Sequence, residues 1–189
     1  MPMEIEQAWD IIDRVLALRA PAVAATLRGP ATDADLDRLV RTVGRDLPAD
    51  LVASLRVHDG QDNPTFLLDL CDHLTLMSAS AMIEGSDLRV SALGDDVDDV
   101  IEWMTPDRVR PVMNCRGWLQ FTESEGRGYA LDLDPLPAGE VGQVIWLPID
   151  GPTPAPEFAS YSAWLTHLAE RLDAGAFTVD ETIGIWLEP

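Results

Sequence analysis

Three short apolar runs separated by turn-rich segments, all within residues 118–147, constrain this chain more than any other stretch. The runs are Trp118-Leu119-Gln120-Phe121, Gly128–Leu133 and Gln143–Leu147. Each has the length of a strand. The intervening Glu123–Arg127 and Pro135–Gly142 are rich in glycine, proline and charge, so adjacent antiparallel strands are the economical arrangement and a meander is expected. Along the middle strand Leu131 and Leu133 face one side and Asp132 and Asp134 the other, because side chains alternate. Pro135, with no N–H to donate, ends the pairing, and Gly139 and Gly142 let the chain turn back.

Helical patterns flank the meander. Ile5, Trp9, Ile12 and Leu16 form one stripe, ended or kinked by Pro21. Thr32 and Asp35 make a capping-box pattern before Leu36, Leu39, Val40 and Val43, and Gly44 is a natural stop. Pro48 suits the first turn of a third helix carrying Leu51 and Leu55, closed by Asp59-Gly60. Thr65–Leu70 and Leu74–Met77 are short enough to be strands or buried helical turns, and Ser78 or Ser80 can cap a helix that follows. Val97, Val100, Ile101 and Met104 predict an apolar helical stripe under an acidic face, followed by an irregular connection at Pro106 and Pro111. After Pro148–Pro156, the residues Tyr161, Trp164, Leu165, Leu168 and Leu172 predict a last helix, stopped near Gly175, and a tail with Ile183, Ile185 and Trp186 is long enough to add a strand. The expected class is α+β: one domain over 1–189, with an N-terminal helix in 1–25, a core in 30–175 and a tail in 176–189.

A chain of 189 residues buries enough surface to fold without a disulfide. Cys71 and Cys115 are expected as free buried thiols. The 33 acidic and 13 basic residues give a formal charge of −20, and every basic residue is arginine. Residues 1–60 hold 10 acidic and 7 basic residues, whereas 61–189 hold 23 and 6. Such an excess argues against direct nucleic-acid binding, which rests on Lys and Arg at phosphates. It suits a cationic partner, although a solvated surface that keeps the protein soluble is the ordinary reading of excess charge. Glu4, Glu6, Asp10 and Asp13 interrupt any N-terminal apolar run, and no stretch of about 18 apolar residues occurs, so a cytoplasmic protein without membrane attachment is expected.

Two segments about sixty residues apart carry a family resemblance. They are Leu47-Pro48-Ala49-Asp50-Leu51 running to His58-Asp59-Gly60-Gln61, and Tyr129–Pro135 running to Gly142-Gln143-Val144-Ile145. Together with Trp118 and the order of elements they resemble the SMI1/KNR4 (SUKH) family across nearly the whole chain. The resemblance implies an α+β SUKH fold. It also implies a binding protein rather than an enzyme, since the family supplies bacterial immunity proteins and fungal regulators of cell-wall synthesis. The hairpin Glu123–Gly128 departs from the family's Gly-Gly-rich pattern by carrying Glu123 and Glu125, so if that loop contacts partners in the family, this member's specificity is expected to differ from that of its relatives.

Asp132 and Asp134 on one strand face would suit a cation or a carboxylate pair, but no third ligand accompanies them, and an exposed strand face beside a turn is the expected reading. The run Asp95, Asp96, Asp98, Asp99 and Glu102 lacks the Gly and Glu of a calcium loop. His58 at a helix end suits the helix dipole, and His167 sits on the polar side of the last helix. Cys71 and His73, sharing a face if on a strand, lack the orienting group and oxyanion site of a nucleophile pair. No nucleotide, zinc or hydrolase motif occurs. Catalytic, cofactor and metal residues are therefore expected to be none. Most of the six tryptophans are expected in the core. Trp103, beside Asp98, Asp99 and Glu102, either packs against the domain body, which is the favoured reading, or forms an aromatic anchor with an acidic rim. The expected partner surface comprises Asp95, Asp96, Asp98, Asp99, Glu102, Trp103, Glu123 and Glu125. The expected function is that of an immunity protein occluding a basic toxin domain, with a cell-wall regulator or scaffold as the alternative and an enzyme as a remote third.

Overall fold

A computed structural model describes residues 1–96, 98–104, 106–148, 156–180, 182 and 184–188. The sheet is the four-stranded antiparallel array β2 (Trp118–Gln120), β4 (Gly128–Asp132), β5 (Gln143–Leu147) and β6 (Pro156–Phe158), in that spatial order. Its register places Leu119 opposite Leu131 and Leu131 opposite Val144, so these apolar side chains share one face. The expected meander is present.

Helices cover that face. They are α1 (Ile5–Arg19), α2 (Pro21–Ala24), α3 (Asp33–Val43), α4 (Ala49–Leu55), α5 (Ala79–Leu93) and α6 (Tyr161–Asp173). Leu119, Phe121, Leu131 and Val144 pack with buried helical residues including Trp9, Leu39, Leu51, Met82 and Leu165. The chain is an α+β protein. Thr32 and Asp35 form the full capping box of α3, and Gly44 takes the left-handed C-cap with φ 70°. Pro48 lies just before α4 as its N-cap. Ser78, not Ser80, caps α5 by accepting from the Ala81 N–H at 3.2 Å. The Trp9 indole N–H donates to Ser54 Oγ at 2.8 Å, and that oxygen lies 2.8 Å from the Tyr161 hydroxyl, which fastens α1, α4 and α6 through buried polar atoms that would otherwise be orphaned.

The opposite face of the sheet is also covered. Trp118, Ala130, Ile145 and Leu147 pack under Val109, Val112 and Cys115 of the connection between α5 and β2. This overturns the exposed face expected for Asp132, which is fully buried. Its carboxylate accepts from Gln143 Nε2 at 3.0 Å and from the Asp134 N–H at 3.1 Å. Burial raises its pKa above the ordinary 3.8, a rise opposed by those hydrogen bonds. Asp134 is held by Arg110 at 3.0 Å and Arg45 at 3.1 Å.

Two further expectations are corrected. Thr65–Leu70 is a succession of turns, with Phe66 in the left-handed region at φ 53°. Its amides are organised instead by Asn63 Oδ1, which accepts from Leu67 and Leu68, both at 3.3 Å. Only Thr75–Leu76 of the second run is a strand, β1, and it pairs with β3 (Thr122–Glu123). The stripe over 97–104 is not helical among the described residues, and Val97 lies outside them. α5 ends at Gly94 with φ 83°. The Asp96 carboxylate then takes the Asp98 N–H at 3.0 Å, and the Ile101 N–H donates to Pro111 O at 2.8 Å rather than to a helical carbonyl. Val100 is left 52 % exposed. The tail forms a hairpin of β7 (Phe177–Asp180) and β8 (Gly184–Leu187), with Ile183 outside the described residues.

Candidate functional site

Two surface grooves flank the hairpin that joins β3 to β4. The first, about 530 Å³, runs between α5 and the turn after Gln61, with Asp62, Phe66, Met77, Glu84, Leu88 and Glu123 among its walls. The second, about 550 Å³, lies on the other side and is walled by Phe66, Asp69, His73, Glu123, Glu125 and Arg127. Phe66 and Glu123 belong to both grooves and stand on the ridge between them. Phe66 and Leu88 are 55 % and 70 % exposed, so apolar surface lies open between carboxylates.

The acidic hairpin is held by its own side chains. Glu123 accepts from Gly126 N–H at 2.6 Å and from Gln120 Nε2 at 2.9 Å. Those bonds give Glu123 a structural use beside any partner contact. Glu125, with a left-handed φ of 53°, projects into solvent and pairs loosely with Arg127 at 3.6 Å. A guanidinium clasp joins the hairpin to the end of α5. Arg89 donates to Gly126 O at 3.1 Å and to Asn114 Oδ1 at 3.3 Å, and Asn114 Nδ2 donates to Gly94 O at 2.9 Å.

The acidic segment that follows Gly94 is only partly free. Asp95 accepts from the Arg116 N–H at 2.5 Å and lies 3.4 Å from its guanidinium, and Asp96 is engaged in its turn. Asp98, Asp99 and Glu102 are exposed. Trp103 is 67 % exposed, which overturns the favoured reading that it packs against the domain body, and Val100 and Met113 (51 % exposed) are open near it in the chain. Trp9, Trp118 and Trp164 are core as expected, Trp146 is half-buried, and Trp186 is 38 % exposed with its ring 4.1 Å from that of His73.

The residues weighed for catalysis are placed otherwise. Cys71 is buried, and burial pushes its thiol far up; Cys115 is likewise pushed up to about 12. Both thiols are therefore poor nucleophiles at neutral pH. Asp72 and His73 have left-handed φ values of 48° and 63° in the turn between the bridged Cys71 and Leu74, so Cys71 and His73 do not share a strand face. His58 bridges Arg28 O at 2.7 Å and Asp13 at 3.1 Å, and His167 is exposed against Phe158.

The grooves have no periodic signature in the sequence: Phe66, which lines both, and His73, which lines the second, take left-handed φ values of 53° and 63°, and periodicity carries no sign of such turns. The one signal was Asp69, a charge inside an apolar run read as a strand.

The fold and site define a class: an α+β protein with a sheet buried on both faces and acid-rimmed surface grooves. A family model described as the SMI1 / KNR4 family (SUKH-1) matches residues 30–167, and the chain belongs to that family. It is 29 % identical, over 96 % of its length, to the cell wall biosynthesis/cell cycle regulator smi1 of Schizosaccharomyces pombe, and 25 % identical over 94 % to a glucan synthesis regulatory protein of Neurospora crassa. It spans 38 % and 40 % of those two proteins. A shorter match, 37 % identical over 30 % of this chain and 12 % of the relative, links it to F-box only protein 3 of Homo sapiens. No helix among the described residues is long and apolar enough to cross a membrane.

Proposed function

We propose that this is a non-catalytic protein-binding protein of the immunity type, which occludes a basic toxin domain in the cytoplasm. The observation that carries the reading is Trp103, exposed together with Val100 and with the carboxylates Asp98, Asp99 and Glu102 that lie within five residues of it in the chain. Aromatic anchors within charged rims dominate binding energy at many interfaces. Asp95, Asp96, Glu123 and Glu125 extend the acidic field toward the hairpin grooves. Residues 61–189, with 23 acidic and 6 basic residues, steer a cationic partner toward this surface. The second reading, a regulator or scaffold, is favoured by the similarity to fungal proteins named as regulators of cell-wall and glucan synthesis.

Capture from native lysate at about 50 mM and about 300 mM salt, where screening lengths differ, separates the two. One basic partner, weakened at high salt and weakened further by Trp103→Ala, supports occlusion. Several unrelated partners support the regulator, and no partner at either salt sinks both. Trp103→Ala is expected to change folding stability by less than about 0.5 kcal/mol, since the side chain is mostly in solvent. Chemical denaturation of the variant checks that the binding loss is not unfolding.

A further inference from the structure

The groove beside the turn at His73 has an unusual floor. Asp69 is 2 % exposed and opens on this groove. Its Oδ1 accepts two hydrogen bonds, from Asn63 Nδ2 at 3.0 Å and Thr75 Oγ1 at 2.5 Å. Its Oδ2 accepts none among the described residues. Of the two basic side chains that line the groove, Arg127 pairs with Glu125 at 3.6 Å, and His73, its ring packed edge-on against Trp186, makes no hydrogen bond to Asp69 among the described residues. A buried carboxylate with one idle oxygen is costly unless a positive donor reaches it. Burial accordingly holds Asp69 above the ordinary carboxylate range, against the pull of Thr75, His73 and Asn63.

We infer that this groove is a receptor for the ammonium of a partner protein's lysine side chain, with Asp69 Oδ2 at its floor, Phe66 against the alkyl stem and Glu125 at the mouth. The inference rests on the reading of a basic protein partner and adds the group that is recognised. Lysine is favoured over arginine by the geometry of the carboxylate. A guanidinium fork needs both oxygens, and Oδ1 is already occupied twice, whereas an ammonium is a point donor that one oxygen satisfies. Phe66, 55 % exposed, offers a ring face to a methylene stem and its charge. Residues 1–189 contain no lysine, so a second copy of these residues cannot supply the ammonium, and the occupant we propose is a lysine of a different protein.

The test titrates the ¹⁵N-labelled full chain with three blocked pentapeptides: a central lysine, arginine or norleucine among glycines. The lysine peptide is expected to give saturable shifts at amides of 65–73 and 123–127. Norleucine should bind roughly tenfold more weakly or worse, the factor a hydrogen bond to a charged group is worth. Asp69→Asn should abolish the lysine preference, and Glu125→Gln and Phe66→Ala, at exposed side chains, should weaken it even if Asp69→Asn fails to fold. Equal response to norleucine or arginine, shifts elsewhere, or a lysine preference unchanged in the variants overturns the receptor. A basic partner captured equally well by Asp69→Asn and wild type overturns the receptor and leaves protein binding standing. A lysine-selective groove in a chain that captures no protein upholds the receptor and removes the toxin reading.

Discussion

Asp132 shows how one side chain records the cover placed over it. Its carboxylate has no solvent contact, and burial raises its pKa above 3.8, the ordinary value. Between that value and the raised one, the folded state binds the proton more tightly than the unfolded chain does. The group's contribution to stability is therefore fully present below 3.8 and is lost as pH rises through the raised value. Asp132→Asn cannot ionise, so its stability relative to wild type is expected to improve as pH rises from about 4 to about 7, by no more than ~1.4 kcal/mol per pH unit. Urea unfolding of both proteins across that range measures the difference, and a gap that is flat or moves the other way contradicts it. Leu131 and Leu133 were legible as inward residues from alternation alone. The burial of Asp132 was not, because it depends on Val109, Val112 and Cys115 folding over the outer face from a segment without periodicity.

At the scale of elements, local chemistry decided which patterns were legible. α3 was readable to the residue because its ends are written in the sequence: Thr32 and Asp35 exchange hydrogen bonds at the start, and Gly44 adopts φ 70° at the stop. Thr32→Ala is expected to cost about 1 kcal/mol, seen as a lower urea midpoint with unchanged slope. A change near zero would mean that packing by Leu36, Leu39 and Val43 alone fixes the helix start. The segment 95–104 misled for the converse reason. Its spacing is helical, but Asp95, Asp96, Asp98, Asp99 and Glu102 are crowded like charges with no base among them, and such i,i+3 and i,i+4 pairs oppose a helix. Asp96 and Asp95 instead satisfy backbone N–H groups at Asp98 and Arg116. Period alone cannot reveal this competition between side chain and helix ladder.

Across the whole molecule, a charge of −20 on 189 residues sets a self-repulsion that salt relieves. Raising NaCl from ~10 mM to ~100 mM shortens the screening length from ~30 Å to ~10 Å. Relief on the order of 1 kcal/mol would raise the melting temperature by about 2–4 °C in a chain of this size, readable by calorimetry. A flat or falling melting temperature would mean that ion pairs such as Arg14–Asp173 at 2.7 Å outweigh the repulsion. The meander and its flanking helices were legible in the chain because each strand and cap is a local signal, while the grooves arise from non-local docking of turns. The Arg89 clasp adds a consequence for how such a surface changes over generations. At its two ends it grips the main-chain carbonyls of Gly126 and Gly94, atoms that every amino acid supplies. Exposed side chains between those anchor points that hold nothing else, such as Asp98, Asp99 and Trp103, can therefore be exchanged over generations without loosening the clasp, whereas Asn114 and Glu123, which hold it and its hairpin, cannot.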